Sequence, residues 1–562
     1  MPVDCVHTGS GTDYRVGPDQ PYATVGAVPW ESLNPGDTVR VFYRAEPYRE
    51  KVIIARSGTA QSPIRVCGVP GPQGQLPILS ANGATTRAQL ASLFGTYREY
   101  SMQQRAIIVV WAPTYEGVVQ HVHIEGLQFQ DVMHAPYTGT DMNTFVDADG
   151  SVRPYDNGAA GIRVQRARDL VIRGNSFVRN PVGLYIISQS FAENHMVRNV
   201  LIEGNSFANN GLLNDYNKHQ AYIQGTNFTV QYNYFGQLTP GAQANNLKMR
   251  TAGDLVRYNY FENGARAIDM VDIEDYVDLV MPWKYAEQSG RTPSSDALQA
   301  ADWEAYQRSH VYGNLFHIHG DEAWPNPIHY GFDNSPHDRR PGTLWFYFNT
   351  LVYQVDRTKL SAVTMFDCCS DFGDDFYGAT VAVLVGDEWR YKPTGINQPM
   401  HLHSGTTWPR MEAFNNAIYL TSATTGADPS FWQFTRWRAD QVALGRNWIS
   451  TSWNDPAAAN ATGNPTPGFG FRQIGNNIVY PGGDAAHHVT GTQNLVTGAD
   501  APVDSGTFAP TANSPLRNQA QAMPSGVPSS LWPTYQVRLV PGTPGRLQIS
   551  ARTSLTTLGA NE

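Results

Sequence analysis

A chain of 562 residues with 16% charged residues, 11% aromatic residues and 51 glycines has the composition of many short strands joined by turns. It does not suit a helical or a disordered protein. The formal net charge of −9, without a basic run, disfavours nucleic acid as a partner, although a local cationic groove can still bind an anionic sugar polymer. No apolar run is long enough to predict a membrane span.

Residues 1–100 are predicted to form an N-terminal cap and the first coils of a repetitive fold. The stretch YATVGAVPWESLNPGDTVRVFYR has the amphipathic character of a segment that closes the end of such a fold. Cys5 and Cys67 can pair across this cap. The first residues have neither a charged nor an apolar leader segment. This leaves a cytosolic protein or a secreted or periplasmic one whose signal peptide is not in this chain, and we favour the second.

A phrase of alternating apolar residues, then Asn, then an aromatic or aliphatic residue recurs along the chain. Its clearest copies are DLVIRGNSF (169–177), NVLIEGNSF (199–207), NFTVQYNYF (227–235) and DLVRYNYF (254–261). Looser copies are HIEGLQF (123–129), HVYGNLF (310–316), TLWFYFNTL (343–351) and RQIGNNIVY (472–480). Strand periodicity in such a repeat, with no helix between copies, predicts an all-β solenoid, a single-stranded parallel β-helix over residues 101–505. We expect the Asn to adopt the left-handed turn conformation and to bond the Asn of the next coil.

A second set of strands lies between these copies. Its members are GIRVQR (161–166), GLYIIS (183–188), QAYIQG (220–225), NLKMR (246–250) and AIDMV (267–271). Alternation points two apolar columns inward, namely Ile162, Leu184, Ala221, Leu247 and Ile268 beside Val164, Ile186, Ile223, Met249 and Met270. Two outward columns follow, namely Arg163, Tyr185, Tyr222, Lys248 and Asp269 beside Gln165, Ile187, Gln224, Arg250 and Val271. The sequence therefore predicts a solvent-facing surface on which Lys248 lies between Tyr222 and Asp269.

The later part of the chain is predicted to interrupt the solenoid three times. Residues 276–309 are expected to be partly helical after a start at Ser294, Ser295 and Asp296, and to form a lid or groove wall. Residues 366–399, with Cys368 and Cys369 as a vicinal disulfide or as thiols, and residues 420–465 are predicted side loops. Residues 506–562 are predicted to be a capping tail. The coil is expected to continue through PIHYG (327–331) and MHLHSG (400–405), with His329, His401 and His403 facing outward.

The opening phrase GDTVRVFYRAEPYREKVIIARSGTAQSPIRVCG resembles the start of right-handed parallel β-helix proteins of the pectate-lyase-like superfamily. The segment 245–275 is similar to a motif in which a strand Lys precedes an Arg-Tyr-Asn turn. In the alginate lyase and chondroitinase B-like branch, this resemblance implies that Lys248 is the base, with an Arg one coil later. That position falls near Met270 here, so Arg250 or Arg266 would have to substitute. The polygalacturonase pattern is not matched, although a GDD occurs at 373–375.

The predicted chemistry is β-elimination on a uronic-acid polymer, which needs a cation on the carboxylate, a base for the C5 proton and an acid for the leaving oxygen. Lys248 can be the base if burial and Arg250 favour its neutral amine, and Arg250 can hold the carboxylate in a bidentate fork. Tyr222 can donate to the glycosidic oxygen, and His219 is an alternative base. Candidate substrate-binding residues are Tyr185, Gln224, Asn246, Asp269, His329 and Trp324. Each of these candidate residues can also have a purely structural role, in an ion pair, a packed ring or a turn contact.

Other readings of the sequence stay open. Asp269, Asp272, Glu274 and Asp275 could supply a calcium site, through Asp269, Asp272 and Glu274, or the acid and base of a glycoside hydrolase. A third alternative is a non-catalytic β-helix that binds a glycan or belongs to a surface fibre. The segment 317–340 contains candidate transition-metal ligands at His317, His319, Asp321, Glu322, His329, Asp333, His337 and Asp338, with Trp324 and Tyr330 suited to stacking on sugars. We expect a monomeric polysaccharide lyase whose partner is an acidic polysaccharide or oligosaccharide.

Overall fold

The computed structural model describes residues 3–97, 100–137, 141–281, 297–320, 327–331, 340–355, 362–368, 381–385, 388–392, 400–401, 410–422, 431–435, 442–444, 446–451, 472–474, 477–479, 488–490, 503–504, 506–543 and 545–562. They form two compact units, Met1–Lys248 and Met249–Glu562.

The first unit is built from three parallel sheets, which confirms the predicted parallel β-helix. Sheet 1 contains Asp13–Val16, Thr38–Phe42, Ile64–Val69, Val119–Glu125, Ala167–Arg173, Arg198–Glu203 and the second half of Ala221–Gln231. Sheet 2 contains Glu50–Ile54, Ala106–Trp111, Ala160–Gln165, Val182–Ile187 and the first half of Ala221–Gln231. Sheet 3 contains Ile78–Ser80, Gln128–Gln130, Ser176–Val178, Ser206–Ala208 and Tyr234–Phe235. From Ile64 to Ile187, each coil therefore contributes one strand to each sheet.

Short strands outside these sheets extend the start of the first unit. They are Ala84–Thr86, Thr144–Val146 and Val152–Pro154, and the hairpin of Thr96–Tyr97 with Tyr100–Ser101. Cys5 and Cys67 form a disulfide, as the cysteine positions allowed. This bond ties the first residues to the strand Ile64–Val69.

In the second unit parallel strands again form three sets, named here sheets 4, 5 and 6. Sheet 4 contains Asp254–Arg257, Arg308–Tyr312, Thr343–Tyr347, Arg410–Phe414 and Val442–Leu444. Sheet 5 contains Ile268–Met270, Ile328–Tyr330, Ala362–Cys368 and Phe431–Thr435. Sheet 6 contains Tyr260–Glu262, Leu315–Gly320, Thr350–Val355, Ala417–Ser422 and Trp448–Thr451. The strand Leu247–Ala252 crosses the boundary between the units.

The apolar alternation of the second strand set fills the core as predicted. Ile162, Leu184 and Ala221 align in adjacent strands, and Val164, Ile186 and Ile223 align beside them. All six side chains are fully buried. In sheet 3 the rings of Phe129, Phe177, Phe207 and Phe235 stack with centroids 4.7 to 5.4 Å apart. Burial of such columns is the main favourable term for folding of the coils.

The repeated Asn forms a ladder inside the turns. Asn175 Nδ2 donates to Asn205 Oδ1 at 3.2 Å, and Asn205 Nδ2 donates to Asn233 Oδ1 at 2.9 Å. In the second unit the ladder runs through Asn259, Asn314, Asn349, Asn416 and Asn447. The predicted left-handed conformation, however, belongs to the preceding residue, such as Gly174, Gly204 or Tyr232 with φ of +58° to +64°. That residue turns the chain, and the Asn side chain then satisfies the turn's backbone groups.

Three predicted boundaries in the second unit need correction. The strands Phe431–Thr435, Val442–Leu444 and Trp448–Thr451 pair in parallel with coil strands, so the coil continues within the predicted side loop 420–465. The strand Met400–His401 pairs antiparallel with Glu388–Lys392, which also pairs antiparallel with Val381–Val385. The described part of MHLHSG, Met400–His401, therefore does not continue the coil. His403 and the side chain of His401 lie outside the described residues.

RQIGNNIVY is not a coil copy either. Its two halves, Arg472–Ile474 and Asn477–Val479, form an antiparallel hairpin, and Asn477–Val479 also pairs antiparallel with His488–Thr490. The Gly-Asn dipeptide between the halves of the sequence is a composition typical of two-residue hairpin turns.

The insertion after the charged strand contains the helices Val277–Val280 and Ala297–Tyr306. The second helix confirms the helical prediction, whereas Ser294, Ser295 and Asp296 lie outside the described residues. The tail contains the antiparallel hairpin of Tyr535–Leu539 with Leu547–Ala551. It packs along the coils of the second unit, because Tyr347 Oη donates to Leu531 O and Ala560 N donates to Thr350 Oγ1. Within the described part of the chain, no helix has the length and apolar character that a membrane crossing requires.

Candidate functional site

The first unit brings Tyr222 and Lys248 side by side. Strand pairing aligns Arg163 with Tyr185 and Tyr185 with Tyr222, as the alternation predicted. Gln220 N donates to Asn245 O, and Ala221 N donates to Asn246 O at 3.0 Å. In a parallel pair with this bonding, Tyr222 is the neighbour of Lys248, one strand spacing of about 4.8 Å away.

This face is more enclosed than predicted. Arg163 is fully buried, Tyr185 and Tyr222 are half-buried, and Lys248 is 9% exposed. The loop 188–197 folds back over the neighbouring column, since Gln165 Nε2 donates to Gln189 Oε1 and Ser188 N donates to Gln224 Oε1. The expectation of an open solvent-facing surface was therefore wrong. The segments that leave the coil cover part of it and turn it into a partly closed site.

His219 and Tyr222 form a fixed pair at this site. Their rings stack with centroids 5.8 Å apart and planes 17° apart. Asn245 N donates to His219 Nδ1 at 3.1 Å, so Nδ1 is an acceptor and the neutral imidazole carries its proton on Nε2. In this tautomer Nε2 is a donor, and the role of His219 as an alternative base to Lys248 stays a prediction.

The phenol of Tyr222 is oriented from two sides. Gln224 Nε2 donates to Tyr222 Oη at 2.9 Å, which uses a lone pair of the oxygen and not its proton. The ring of Tyr185 packs edge-on against it at 5.0 Å, and the Arg163 guanidinium lies 4.7 Å from the Tyr185 ring centre. An oriented hydroxyl beside an amine is an arrangement that can supply an acid and a base to one substrate. Asn246, another predicted binding residue, is fully buried.

Arg250 lies in the second unit, and its guanidinium pairs with carboxylates of the chain itself. Its Nη1 donates to Asp272 Oδ2 at 3.0 Å and to Asp272 O at 2.7 Å, and its Nη2 lies 3.2 Å from Glu274 Oε2. Tyr276 Oη donates to Arg250 O, which brings the segment 274–276 over the strand. The guanidinium is 2% exposed. Its predicted role as a fork for a substrate carboxylate stays a prediction.

Asp269 and His329 form a buried pair in the second unit. His329 Nδ1 lies 2.6 Å from Asp269 Oδ1, and Arg266 Nη1 donates to the same oxygen at 2.9 Å. Their strands are adjacent and in register. Both side chains are fully buried, so the prediction that His329 faces outward was wrong. The carboxylate of Asp269 satisfies the imidazole, and both side chains are shielded from solvent.

The predicted calcium ligands do not converge on one point. Asp272 and Glu274 both pair with Arg250, while Asp269 pairs with Arg266 and His329. Among the residues that the structure describes, no group of three His, Cys, Asp or Glu side chains has a geometry that could hold a metal ion. Cationic partners already neutralise these carboxylates, which removes the charge that would attract calcium.

The His-rich segment is described only in part. His319 Nε2 lies 3.0 Å from Glu262 Oε1, and Tyr260 Oη contacts His317 Nδ1 at 3.2 Å, in sheet 6. Tyr330 is fully buried and its hydroxyl donates to Pro341 O, so it cannot stack on a sugar at the surface. Other candidates named from the sequence lie outside the described residues, namely Asp321, Glu322, Trp324, Asp333, His337, Asp338 and the GDD at 373–375.

Sequence reasoning missed two exposed aromatic residues in the first unit. Tyr115 is 52% exposed and Phe191 is 67% exposed. They follow Trp111 and Ile187, the last residues of two strands of sheet 2, by four residues each. The available signal was the large aromatic in the loop phrases WAPTYEG and SQSFAEN, outside the apolar alternation.

Comparison with known proteins gives no family assignment. No protein-family model matches the chain, and no curated protein matches it. Among solved structures, pectate lyase Pel9A aligns over 92% of this chain and 94% of its own, with 10% identity and a TM-score of 0.35. The GH136 lacto-N-biosidase from Eubacterium ramulus aligns over 77% and 67%, with 10% identity and a TM-score of 0.37. The PL6 family alginate lyase AlyGC aligns over 86% and 57%, with 12% identity and a TM-score of 0.36. Similarity this slight decides no activity, and the parallel β-helix rests on the strand pairing itself.

Proposed function

We propose that this protein is a polysaccharide lyase that cleaves a uronic-acid polymer by β-elimination. The observation that carries the proposal is the in-register pair of Tyr222 and Lys248 in the first unit, with His219 stacked on Tyr222. The disulfide between Cys5 and Cys67 supports a secreted or periplasmic location, where such polymers are encountered.

In the proposed reaction Lys248 Nζ removes the C5 proton of a uronic acid unit. The electrons of that C–H bond form the C4–C5 double bond, and the bond from C4 to the glycosidic oxygen breaks. Tyr222 Oη donates its proton to the departing oxygen, so one proton is taken up and one is released by the enzyme. Gln224 holds the phenol and His219 fixes its ring plane.

The predicted roles of Arg250 and Arg266 are retained as secondary proposals. Both guanidinium groups contact carboxylates of the chain, with 2.9 to 3.2 Å between charged atoms. Either one would have to exchange such a partner for the substrate carboxylate. The proposed proton transfers therefore rest on Lys248 and Tyr222 alone.

Two other functions receive less support. A glycoside hydrolase needs one carboxyl protonated and one ionised, whereas the arginine partners of Asp269 and Asp272 favour the ionised form of both. A glycan-binding protein without catalysis would use the same partly enclosed face. This hypothesis differs from the lyase hypothesis because it predicts no turnover of any polymer and no effect of a Lys248 substitution on any reaction.

The test is a screen of acidic polysaccharides, including polygalacturonate, alginate and chondroitin sulfate, read by the ultraviolet absorbance of the unsaturated product. Parent protein should produce this signal on at least one polymer. Lys248→Met should reduce kcat at least about a hundredfold, the usual contribution of a general base. Tyr222→Phe should reduce kcat by a similar factor with a smaller change in KM, because the ring remains while the proton donor is lost.

Matched controls separate loss of chemistry from loss of structure. Arg153→Met removes an exposed cation of the same unit, and Tyr216→Phe removes an exposed hydroxyl. Both controls should keep parental turnover. New reducing ends without the unsaturated product would show hydrolysis, and the hydrolase assignment would then replace the lyase assignment. Full turnover in Lys248→Met would end the assignment of the base. A proton-exchange assay should accompany the screen, because an epimerase gives neither product.

A further inference from the structure

The first unit presents a pair of exposed aromatic rings that the proposed chemistry does not use. Tyr115 and Phe191 are the two residues concerned, and more than half of each side chain is accessible to solvent. Single exposed apolar side chains are ordinary on protein surfaces, but these two belong to neighbouring loops that a hydrogen bond joins. We name this pair the aromatic platform.

The platform is held rigidly by bonds between two loops. Tyr115 Oη donates to Phe191 O at 2.9 Å, and Asn194 Nδ2 donates to Tyr115 O at 2.7 Å. His195 Nε2 donates to the same carbonyl at 2.9 Å, and its buried ring packs edge-on against both platform rings at 4.7 and 6.0 Å. Ordering the rings in advance lowers the entropic cost of binding, which distinguishes a preformed site from a loose surface aromatic.

The platform lies at the end of the sheet that carries the proposed acid and base. The strand Val182–Ile187 leads directly into the loop with Phe191, and it pairs with the strand that carries Tyr222. Ser188 of this loop bonds both the backbone and the side chain of Gln224, the residue that holds the Tyr222 phenol. Two strand spacings, about 10 Å, separate the strand that precedes Phe191 from that of Lys248. A polymer seated at Lys248 can therefore reach the platform within a few sugar units.

The chemistry of the patch favours a sugar ring over a protein partner. Two aromatic side chains offer at most a few hundred Å², well below the roughly 800 Å² that each partner of a stable protein complex buries. Thr114 and Ser190 are the sequence neighbours of the two rings, and Asn194 bonds Tyr115 O, so the patch also has polar groups. A pyranose has an apolar C–H face and a rim of hydroxyls, which matches this pattern. The Arg166 guanidinium lies 5.9 Å from the Tyr115 ring centre, and Glu116 follows Tyr115 with the opposite charge.

We propose that the aromatic platform of Tyr115 and Phe191 is a subsite that stacks a pyranose unit of the polymer away from the bond that is cleaved. The inference rests on the proposed function for the identity of the polymer. The binding step itself needs no catalysis and can be measured separately.

The experiment measures retardation of the full chain in native gels that contain polygalacturonate, alginate or chondroitin sulfate, using the Lys248→Met background so that the polymer stays intact. Phe191→Ala and Tyr115→Ala should each weaken binding about five- to tenfold. Phe191→Tyr and Phe191→Trp keep an aromatic face and should bind like the background protein. Phe191→Leu is apolar without an aromatic face and should bind as weakly as Phe191→Ala. Tyr216→Ala removes an exposed aromatic ring outside the platform and should bind like the background protein.

Parent protein tests the same subsite by kinetics. Phe191→Ala should raise KM on long polymer with little change in kcat, since stacking contributes equally before and during the reaction. The subsite would be overturned if Phe191→Ala were retarded as strongly as its background protein, or if Tyr216→Ala lost as much binding as Phe191→Ala. It would also be overturned if Phe191→Leu bound like the background protein, or if the background protein bound none of the three polymers. If Lys248→Met keeps full turnover while the Phe191 pattern holds, the assignment of the base fails and the subsite stands.

Discussion

Asn205 shows at the scale of one residue how the coils are joined. Its Nδ2 donates to Ile172 O at 2.8 Å and to Asn233 Oδ1, and its Oδ1 accepts from Asn175 N at 3.0 Å. The side chain is 1% exposed. One amide therefore satisfies buried groups of the coils on both sides, which water cannot reach.

We expect Asn205→Ala to lower the free energy of unfolding by about 3 kcal/mol, because it leaves Asn175 N and Ile172 O buried without these partners. Asn199 provides the matched control. It belongs to an exposed ladder with Asp169 and Asn227 and has φ of +56°, so Asn199→Gly keeps the favoured backbone and should be nearly neutral. Urea unfolding of both variants measures the difference. Equal loss in both would show that burial of the ladder is not what gives Asn205 its effect.

At the scale of an element, sheet 1 is strengthened by charges that alternate from strand to strand. Arg65 Nη2 lies 2.8 Å from Glu125 Oε2, Arg173 bridges Glu125 and Glu203 at 3.2 and 2.7 Å, and Gln231 ends the row on Glu203. Opposite charges on neighbouring strands stabilise the alignment, and a slip by one residue would separate every pair.

Glu125→Gln is expected to lower the free energy of unfolding by about 2 kcal/mol. The Glu125 side chain is 2% exposed, and its loss of charge leaves Arg65 without its carboxylate partner. Glu304→Gln is the comparison, since that carboxylate pairs with Arg308 on an exposed surface and should contribute little. Thermal and urea unfolding of the two variants provide the measurement. A larger effect for Glu304→Gln would contradict the argument from burial.

The sequence predicts well those features that follow from the two-residue alternation of side chains along a strand. The alternation places Ile162, Leu184 and Ala221 in one buried column, because a strand reverses its side chains at each residue. It fails to predict burial on the outward face of the coil, as at Gln165 and His329. It also fails for Phe431–Thr435, which joins a coil although insertions destroy the spacing. The pairing of Tyr222 with Lys248 was accessible to sequence reasoning, whereas the tautomer of His219 and the platform of Tyr115 and Phe191 required the loop structure.

At the scale of the whole molecule, histidines that are partly or fully buried make the free energy of unfolding depend on pH in acid solution. Burial lowers the pKa of His123 and His195 in the first unit and of His310 and His317 in the second, with desolvation as the largest cause in all four. A folded chain then resists a proton that the unfolded chain accepts near pH 6.5. The stability that these residues contribute is complete above that pH and is lost as the pH falls through their folded pKa values.

His310 allows this to be tested at a single site. Its pKa falls to about 4, because burial and the charge of Arg308 both oppose protonation. Its Nδ1 contacts Tyr347 Oη, and its ring stacks on Trp345 with planes 9° apart. A shift of about two and a half pH units at about 1.4 kcal/mol per unit contributes up to about 3 kcal/mol of acid destabilisation. His310→Gln should therefore reduce the loss of unfolding free energy between pH 7 and pH 4 by up to that amount. Urea unfolding across this range measures it, with pH 8 as the baseline for packing changes. An unchanged pH slope in His310→Gln would mean that the imidazole is already accessible to protons in the folded protein, and the stacked environment of Trp345 and Tyr347 would then not be what holds it neutral.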